Sequence, residues 1–316
     1  MRSPVFSIIT PTFKRPDLLK RNIKSVINQT YENYEHIIID DANEQETAGI
    51  INSFNDNRIV LLHHEIQKGA AASYNTGIRA SKGDFIVFLD DDDEYMPCFL
   101  KKMNERFLHS KPETGFIWTG ISRIRQTDKG NECTSSVIWP SHFSIKEEGL
   151  IAATSIGNGY GVCIRKKCFD IIGFYDETIT CGQDTEFLFR LARTFEFETI
   201  PEALVKIHTH NHPQLTDDNN NKIRLELREK ILLQNQDILR MFPKLYYVHY
   251  QVVADLCYKL NLKKKGRRIM ISIIKYSPFN FLNFTDLIFY EISGKNTKDS
   301  YRASTLRTII QLLKRN

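Results

Sequence analysis

The chain has 316 residues, of which 41% are hydrophobic and 26% are charged, a balance typical of a folded globular protein. No stretch approaches the roughly 18 apolar residues that cross a bilayer, and six scattered cysteines without a CxxC pair argue against a zinc site or a disulfide framework. From Lys259 onward the chain has 13 Lys and Arg against 3 Asp and Glu, so the net charge of +5 originates in the C-terminal segment.

Strand-like and helix-like segments alternate along the first third of the chain. Four short apolar runs predict strands, over residues 6–10, 36–40, 59–62 and 85–89. Apolar residues at helical spacing predict helices after each of them, over residues 17–28, 44–54, 69–80 and 97–108. This alternation predicts a doubly wound α/β unit with a parallel sheet covered on both faces. Such sheets bind ligands at the carboxyl ends of their strands, so polar residues at those ends are the first candidates for a site.

The middle of the chain is mixed in pattern, and its end is helical. Residues 116–118 and 162–164 are strand-like, and a glycine-rich stretch at 157–161 lies between them. The polar run 217–221 predicts a domain boundary. Helices are predicted after this run, over residues 225–242, 245–260, 267–275 and 303–313. We therefore expect an α/β domain in two halves, residues 1–115 and 116–216, followed by a helical C-terminal region, residues 217–316.

Two acidic segments follow directly on apolar predicted strands. Four consecutive aspartates, Asp90 to Asp93, come after the fourth strand. Like charges this close must be offset by a cation or by raised pKa values, and carboxylate oxygens suit Mg²⁺ or Mn²⁺; a solvated turn that caps the next helix is the alternative. Asp40 ends the second strand and could accept hydrogen bonds from a nucleobase or a ribose hydroxyl, or be an ordinary loop acid.

Two later residues are candidates for chemistry. Asp184 is predicted at a helix start, where a carboxylate can act as a general base toward a hydroxyl or serve only as an N-cap. His208 begins a run of three alternating histidines, one of which could complete a metal site or contact a diphosphate. The chain has neither a GxGxxG fingerprint nor a GxxxxGK[ST] phosphate loop, which weakens dehydrogenase and NTPase hypotheses, and it has no GxSxG elbow.

Five stretches occur in a characteristic order along the first third of the chain: SIITPTFKR from Ser7, SVINQTY from Ser25, IIIDD from Ile37, GAAASYNTGI from Gly69 and GDFIVFLDDDD from Gly83. Together they resemble the family 2 glycosyltransferases with a GT-A fold. The resemblance covers roughly residues 5–215 and leaves the tail uncovered. It implies a GT-A-type, Rossmann-like doubly wound sheet and an inverting enzyme of the bacterial polysaccharide type.

The resemblance also implies roles for individual residues. The nucleotide-binding residues would be Thr10, Pro11, Thr12, Arg15, Asp40, Lys68, Asn75, Asp90 and Asp91. Asp92 would be the direct ligand of a Mn²⁺ or Mg²⁺ ion, and His208 would touch the metal or the diphosphate. The family's DxD motif falls on Asp90 to Asp92, and Asp91 to Asp93 is the alternative register. Asp184 would be the catalytic base, with Gln183 in a place often taken by an acid.

The expected function is the transfer of a sugar from a nucleotide-sugar donor, with UDP as the default nucleotide, to a hydroxyl of a glycan or a lipid-linked glycan. A direct displacement inverts the anomeric carbon, so one base suffices and no enzymatic nucleophile is needed. A sugar nucleotidyltransferase is the first alternative, disfavoured because residues 11–15 after the first strand lack glycine. A non-catalytic membrane- or nucleic-acid-binding protein is the second, and the lack of a nucleic-acid motif in the tail argues against nucleic acid.

Basic residues in the C-terminal region lie beside apolar ones. Lys263 to Arg268 precede the apolar run 269–274, a pattern that suits an anionic membrane surface. A helical bundle with a solvated basic face is a compatible alternative. Since the first residues lack the apolar segment and cleavage site of a signal peptide, we expect a cytoplasmic protein with peripheral contact to the inner face of the membrane.

Overall fold

A computed structural model describes residues 4–127, 130–209 and 220–276. These residues form two compact units. The first unit consists of the described residues up to 142 and from 156 to 209, and the second of residues 143–155 and 220–276. The histidines at 210 and 212, most of the predicted boundary at 217–221 and the predicted helix 303–313 lie outside the described residues.

The described part of the first unit is built around a mixed sheet. Its strands are β1 (Phe6–Thr12), β2 (Tyr34–Asp40), β3 (Ile59–His63), β4 (Phe85–Phe88), β5 (Glu94–Tyr95), β6 (Thr114–Thr127), β7 (Gly130–Val137), β8 (Cys163–Arg165) and β9 (Glu196–Thr209). They lie in the order β3-β2-β1-β4-β8-β6-β9-β5, with β7 paired to β6. The helices are α1 (Pro16–Ile27), α2 (Gln45–Ser53), α3 (Ala70–Ala80), α4 (Phe99–His109), α6 (Lys167–Ile172) and α7 (Gln183–Thr194), with a 3-10 turn at Asn158–Tyr160.

The first four strands are parallel, as their continuously apolar sequences predict. All seven residues of β2 are buried. β1 continues two residues beyond its predicted end, through Pro11 to Thr12. Proline is tolerated there because β4 pairs with β1 only as far as Ile9, so the missing N–H of Pro11 interrupts no ladder on that side. Thr12 then lies directly opposite Asp40, which brings two predicted site segments to one edge of the sheet.

The other half of the sheet is not parallel throughout. β8 runs antiparallel to both β4 and β6, whereas β9 runs parallel to β6. β6 and β9 are each 14 residues long, although only three residues of β6 and none of β9 were predicted. The pairing of these two strands is irregular around Gly120, and charged residues and Pro201 interrupt the apolar alternation of β9. Local patterns therefore give little indication of either strand.

The second unit is helical, as predicted for the C-terminal region. Its helices are α5 (Lys146–Ser155), α8 (Asn221–Gln234), α9 (Gln236–Met241), α10 (Pro243–Lys259) and α11 (Lys263–Tyr276). The prediction of one helix over residues 225–242 is wrong, because the helix is interrupted at Asn235. The side-chain amide of Asn235 donates to the Ile231 carbonyl at 2.8 Å. α10 is the central helix and contacts α5, α8, α9 and α11. Over the part of the chain described, no helix is both long and apolar enough to cross a lipid bilayer.

Candidate active site

The acidic run Asp90–Asp93 begins two residues after β4 and is held from one side by β1 and the loop that follows it. The Thr12 hydroxyl donates to Asp91 Oδ2 at 2.7 Å. Arg15 Nη2 lies 2.6 Å from the other Asp91 oxygen, and Arg15 Nη1 lies 3.2 Å from Asp92 Oδ2. Pro16 starts α1 immediately after this arginine, so the helix start fixes the position of Arg15 against the run.

Two helices hold the first aspartate of the run. From α3, the Tyr74 hydroxyl donates to Asp90 Oδ1 at 2.6 Å. From α1, the Asn22 amide donates to the Asp90 carbonyl at 2.8 Å. Asn22 is fully buried and Tyr74 nearly so, so the position of Asp90 depends on the packing of both helices against the sheet.

Three of the four aspartates face one another. Asp90, Asp92 and Asp93 each offer a carboxylate oxygen, and these oxygens all lie within 4.8 Å of one another. Asp91 lies outside this group because Thr12 and Arg15 hold its carboxylate toward β1 and α1. The aspartates that converge are thus the first, third and fourth of the run.

Burial and mutual repulsion raise the pKa values of three aspartates in the run. Desolvation, followed by the charge of Asp92, raises the pKa of Asp90 to about 6. The same two causes raise the pKa of Asp93 well above its ordinary value. Burial raises the pKa of Asp91 to about 7, against the lowering effect of Arg15. Neighbouring arginines therefore leave much of the negative charge of the run uncompensated.

The group of three aspartates fits a divalent cation. Mg²⁺ and Mn²⁺ bind carboxylate oxygens, and each of the three aspartates offers one such oxygen within 4.8 Å of the others. The repulsion that raises the pKa values of Asp90 and Asp93 is the kind that a bound cation removes. Both the oxygen ligands and the charge of the group therefore suit a hard divalent ion.

A glycine turn contacts both the acidic run and Asp184. The turn comprises Gly157 to Gly161 and contains the 3-10 turn. A Cβ atom on Gly157 would lie 2.6 Å from Asp184 Oδ2, and one on Gly159 would lie 3.5 Å from Asp93 Oδ2 and 3.8 Å from Asp90 Oδ2. Asp184 is the second residue of α7, and its charge contributes to raising the pKa of Asp90. The structure therefore brings the two acidic motifs to one and the same turn.

His208 is near the end of β9 and contacts the acidic run with its backbone. Its N–H donates to Asp93 Oδ1 at 3.0 Å, while its imidazole Nε2 lies 2.5 Å from Glu94 Oε1. This contact is the main cause that lowers the pKa of Glu94. His208 is therefore adjacent to the aspartates, with its imidazole directed at Glu94 rather than into the group of three.

Other predicted nucleotide-binding residues are engaged within the fold. Asp40 accepts hydrogen bonds from the N–H groups of Ala42 and Glu44, at 2.9 and 2.8 Å. The Asn75 amide bonds to both backbone groups of Tyr175 and to Glu177. These contacts make Asp40 and Asn75 supports of the loops that border the carboxyl edge of the sheet.

Three more predicted positions lie along the same edge. The Thr10 hydroxyl is buried and lies 3.0 Å from His36 Nε2, whereas Pro11, one residue later, is partly exposed. The Lys68 side chain is exposed, and its N–H donates to Asp41 at 2.8 Å. Pro11, Arg15 and Lys68 are at least partly exposed and could contact a ligand at this edge, and their roles stay predictions.

Several residues of the site were not assigned a role from sequence. The aromatic ring of Tyr74 stacks on that of Tyr175 with centroids 5.2 Å apart, and the Tyr175 hydroxyl donates to Asn158 in the glycine turn at 3.0 Å. These residues are far apart in the chain, so no local pattern connects them. The alternating glycines at 157, 159 and 161 are visible in the sequence, and they were the one local signal that pointed to this part of the site.

Comparison with protein families places the chain among known enzymes. The family described as "Glycosyl transferase family 2" matches residues 7–159. An "Uncharacterized glycosyltransferase" of Haemophilus influenzae is 25% identical over 275 residues, which cover 86% of this chain and 90% of that protein. A "GalNAc(5)-diNAcBac-PP-undecaprenol beta-1,3-glucosyltransferase" of Campylobacter jejuni is 34% identical over 113 residues, which cover 34% of this chain and 37% of that protein. The chain thus spans little more than a third of the second relative.

Solved structures confirm the fold that the sequence predicts. The structure of S. aureus TarS residues 1–349 in complex with UDP-GlcNAc has a TM-score of 0.60 at 13% identity, covering 98% of this chain and 91% of that chain. The mannosyltransferase PcManGT from Pyrobaculum calidifontis, in complex with GDP-Man and Mn²⁺, has a TM-score of 0.59 at 15% identity, covering 93% of this chain and 88% of that chain. The α/β fold is of the GT-A type.

Proposed function

Because residues 7–159 match glycosyl transferase family 2, we propose that the chain transfers a sugar from a nucleotide-sugar donor, a UDP-sugar, to a hydroxyl of a glycan or lipid-linked glycan, with inversion. The observation that carries the proposal is that Asp184 and the converging aspartates approach the same glycine turn. A TarS complex with UDP-GlcNAc and a relative named for an undecaprenol-linked substrate support the two substrate classes.

The acidic run supplies the donor side of the reaction. Asp92 would be the direct ligand of Mn²⁺ or Mg²⁺, with Asp90 and Asp93 beside it and His208 next to the diphosphate. When bound, the ion would neutralise charge that develops on the diphosphate leaving group. Asp91 and Thr12 keep Arg15 against the run, where its guanidinium is available to a phosphate oxygen. Thr10, Pro11, Asp40, Lys68 and Asn75 would shape the nucleoside pocket along the same edge.

Asp184 supplies the acceptor side. Its carboxylate would accept the proton of the acceptor hydroxyl as the oxygen attacks the anomeric carbon from the face opposite the leaving group. A single displacement of this kind needs one base and inverts the anomeric configuration. Both Asp184 and the aspartates approach the glycine turn, which supports their action on one bound sugar.

The experiment that tests this function is a donor panel. The purified protein is incubated with UDP-, GDP- and dTDP-sugars and an alkyl-linked sugar acceptor, with Mn²⁺ or with a chelator, and the product is analysed by NMR. We expect transfer from one donor class, dependent on the cation and with inverted configuration. A retained configuration would refute the mechanism, and release of pyrophosphate from a nucleoside triphosphate would favour a nucleotidyltransferase instead.

The basic helix α11 is proposed to contact an anionic membrane surface on the cytoplasmic side. α11 contains no acidic residue. It buries Gly266, Met270 and Ile273. The side opposite these residues is exposed and basic, with Lys264, Arg268 and Lys275. Cations on one side of a helix are attracted to anionic lipids, where a lipid-linked acceptor would be found.

Vesicle co-sedimentation tests the membrane contact. The double variant Lys264→Gln/Arg268→Gln should bind phosphatidylglycerol vesicles at least tenfold more weakly than the parent protein, since each basic residue near the surface contributes about 1 kcal/mol. Lys222→Gln/Lys230→Gln on α8 removes the same charge and serves as the control. Equal binding by both variants, or no binding by the parent protein, would count against the proposal.

A further inference from the structure

Strands β6 and β9 cover the glycine turn with one face. A Cβ atom on Gly161 would lie 2.8 Å from Val205 Cγ2, and one on Gly159 would lie 3.5 Å from Ile207 Cδ1. From β6, the Thr119 hydroxyl donates to the Tyr160 carbonyl at 3.4 Å. These contacts identify the face of the two strands that is directed at the turn, which also contacts Asp93 and Asp184.

Two arginines extend this face along β6. In the register of the two strands, Arg123 lies opposite Ile207 and Arg125 lies opposite Thr209. Residues opposite one another in a sheet share a face, and every second residue along a strand returns to it. Arg123 and Arg125 therefore lie on the face that covers the turn, and two residues along a strand separate them by roughly 7 Å.

Neither guanidinium has a partner among the described residues. Arg123 is partly buried and Arg125 is exposed. The arginines of the acidic run differ in this respect, because Arg15 is paired with Asp91 and Asp92, and Arg21 lies 3.8 Å from Glu94. A partly buried cation without a counter-ion is costly, and the guanidinium fork binds the oxygens of a phosphate in pairs.

We propose that Arg123 and Arg125 bind the phosphate groups of the acceptor, a diphosphate-linked glycan, and so position its hydroxyl toward Asp184. This inference rests on the proposed function and names the acceptor chemistry of the same site. The proposed function assigns the donor diphosphate to the aspartates, and the two arginines serve a second anionic group. Two cations about one diphosphate length apart can hold both of its phosphates.

The test is a calorimetric titration with geranyl diphosphate, in the presence of EDTA so that no cation bridges the probe to the acidic run. The parent protein should bind the probe, and Arg123→Gln and Arg125→Gln should each weaken binding about tenfold, as expected for the loss of one charge-assisted contact. Arg123→Lys should lose less, since it keeps the charge. Geraniol, which has the same chain without phosphate, should show no dependence on either arginine.

Lys206→Gln is the matched control. Lys206 lies opposite Ser122, on the other face of the same strands, and its loss should leave the affinity unchanged. Equal weakening by Lys206→Gln, no effect of either arginine variant, or binding of inorganic pyrophosphate without binding of geranyl diphosphate would each overturn the proposal. The titration contains no donor sugar, so a failure of sugar transfer would contradict the proposed function and leave this result standing.

Discussion

The four aspartates of the acidic run have identical side chains and different surroundings. Asp91 is buried and held by Thr12 and Arg15, Asp90 accepts a hydrogen bond from Tyr74, and Asp93 accepts one from the backbone of His208. The sequence leaves two registers for a DxD motif. The structure groups Asp90 with the third and fourth aspartates, because the partners of Asp91 come from β1 and α1 and turn it away.

Asp184→Asn should reduce the rate of sugar transfer by 10²-fold or more, because the amide cannot accept a proton from the acceptor hydroxyl. Donor affinity, measured by titration with the nucleotide sugar, should be largely unchanged. Asp170→Asn, an exposed aspartate on α6, is the control and should transfer normally. A large loss of donor affinity in Asp184→Asn would remove this residue from the role of base.

His36 should make the stability of the first unit depend on pH. It is fully buried beside Thr10, and burial lowers its pKa to about 3, below the ordinary value of about 6.5 that applies in the unfolded chain. The imidazole is neutral in both states above pH 6.5. Below that pH the unfolded state takes up the proton first, so stability falls progressively as the pH decreases toward 3.

At pH 5 this single group should cost about 2 kcal/mol of unfolding free energy relative to pH 8. Urea denaturation of the parent protein and of His36→Gln at both pH values measures the difference. The variant should lose less stability on acidification than the parent protein by about that amount. His109→Gln, at an exposed histidine, should behave like the parent, and the same pH dependence in His36→Gln would refute the assignment.

At the scale of elements, the glycine turn connects parts of the site that lie far apart in the chain. Gly157 at its start lies against Asp184 on α7, and Gly159 at its centre lies against the acidic run after β4. Two other residues of the turn bond to Tyr175 and to Thr119 of β6. Because these four segments meet at the turn, its shape controls the relative positions of the donor and acceptor sides.

Gly157→Ala should therefore impair catalysis more than stability. The backbone of Gly157 is extended, with φ −114°, so the substitution introduces no backbone strain. The added Cβ would lie 2.6 Å from Asp184 Oδ2 and displace it, and a displacement near 1 Å can cost about 10²-fold in rate. Measurement of both kcat and Tm for Gly157→Ala and the parent protein tests this prediction.

Gly49→Ala on α2 is the control for this substitution. A Cβ there has no neighbour within 4 Å, and alanine favours a helix over glycine by up to about 1 kcal/mol. Its activity should be unchanged and its stability equal or higher. A Gly157→Ala protein with normal kcat would show that the turn does not position Asp184.

At the scale of the whole molecule, the described chain separates a sheet-based unit from a helical one. The acidic run, the glycine turn, Asp184 and His208 all belong to the first unit. The net positive charge of the chain is concentrated in the C-terminal segment. This segment includes α11, which belongs to the second unit. Chemistry and the proposed membrane contact are thus assigned to different parts of the protein.

Cation and nucleotide should stabilise the protein together. At a ligand concentration about 100 times the dissociation constant, binding adds roughly 2.7 kcal/mol of stability, which corresponds to an increase in Tm of about 5–10 °C for a unit of this size. Thermal unfolding with UDP and Mn²⁺ should show this increase, and Asp92→Asn or EDTA should abolish it. An increase in Tm that is the same in Asp92→Asn would show that the cation binds elsewhere.

The sequence by itself determined the first four strands, the helices between them and the acidic residues at their ends, because each of these depends on periodicity within a short segment. It also indicated the enzyme family, through motifs in a set order. Only the tertiary structure decided which aspartates converge, that the Asp40 and Asn75 side chains support loops, that His208 turns to Glu94, and that β6 and β9 carry Arg123 beside the turn. These facts depend on contacts between residues up to about a hundred positions apart in the chain. Such contacts are selected by the packing of whole elements and leave no local pattern in the sequence.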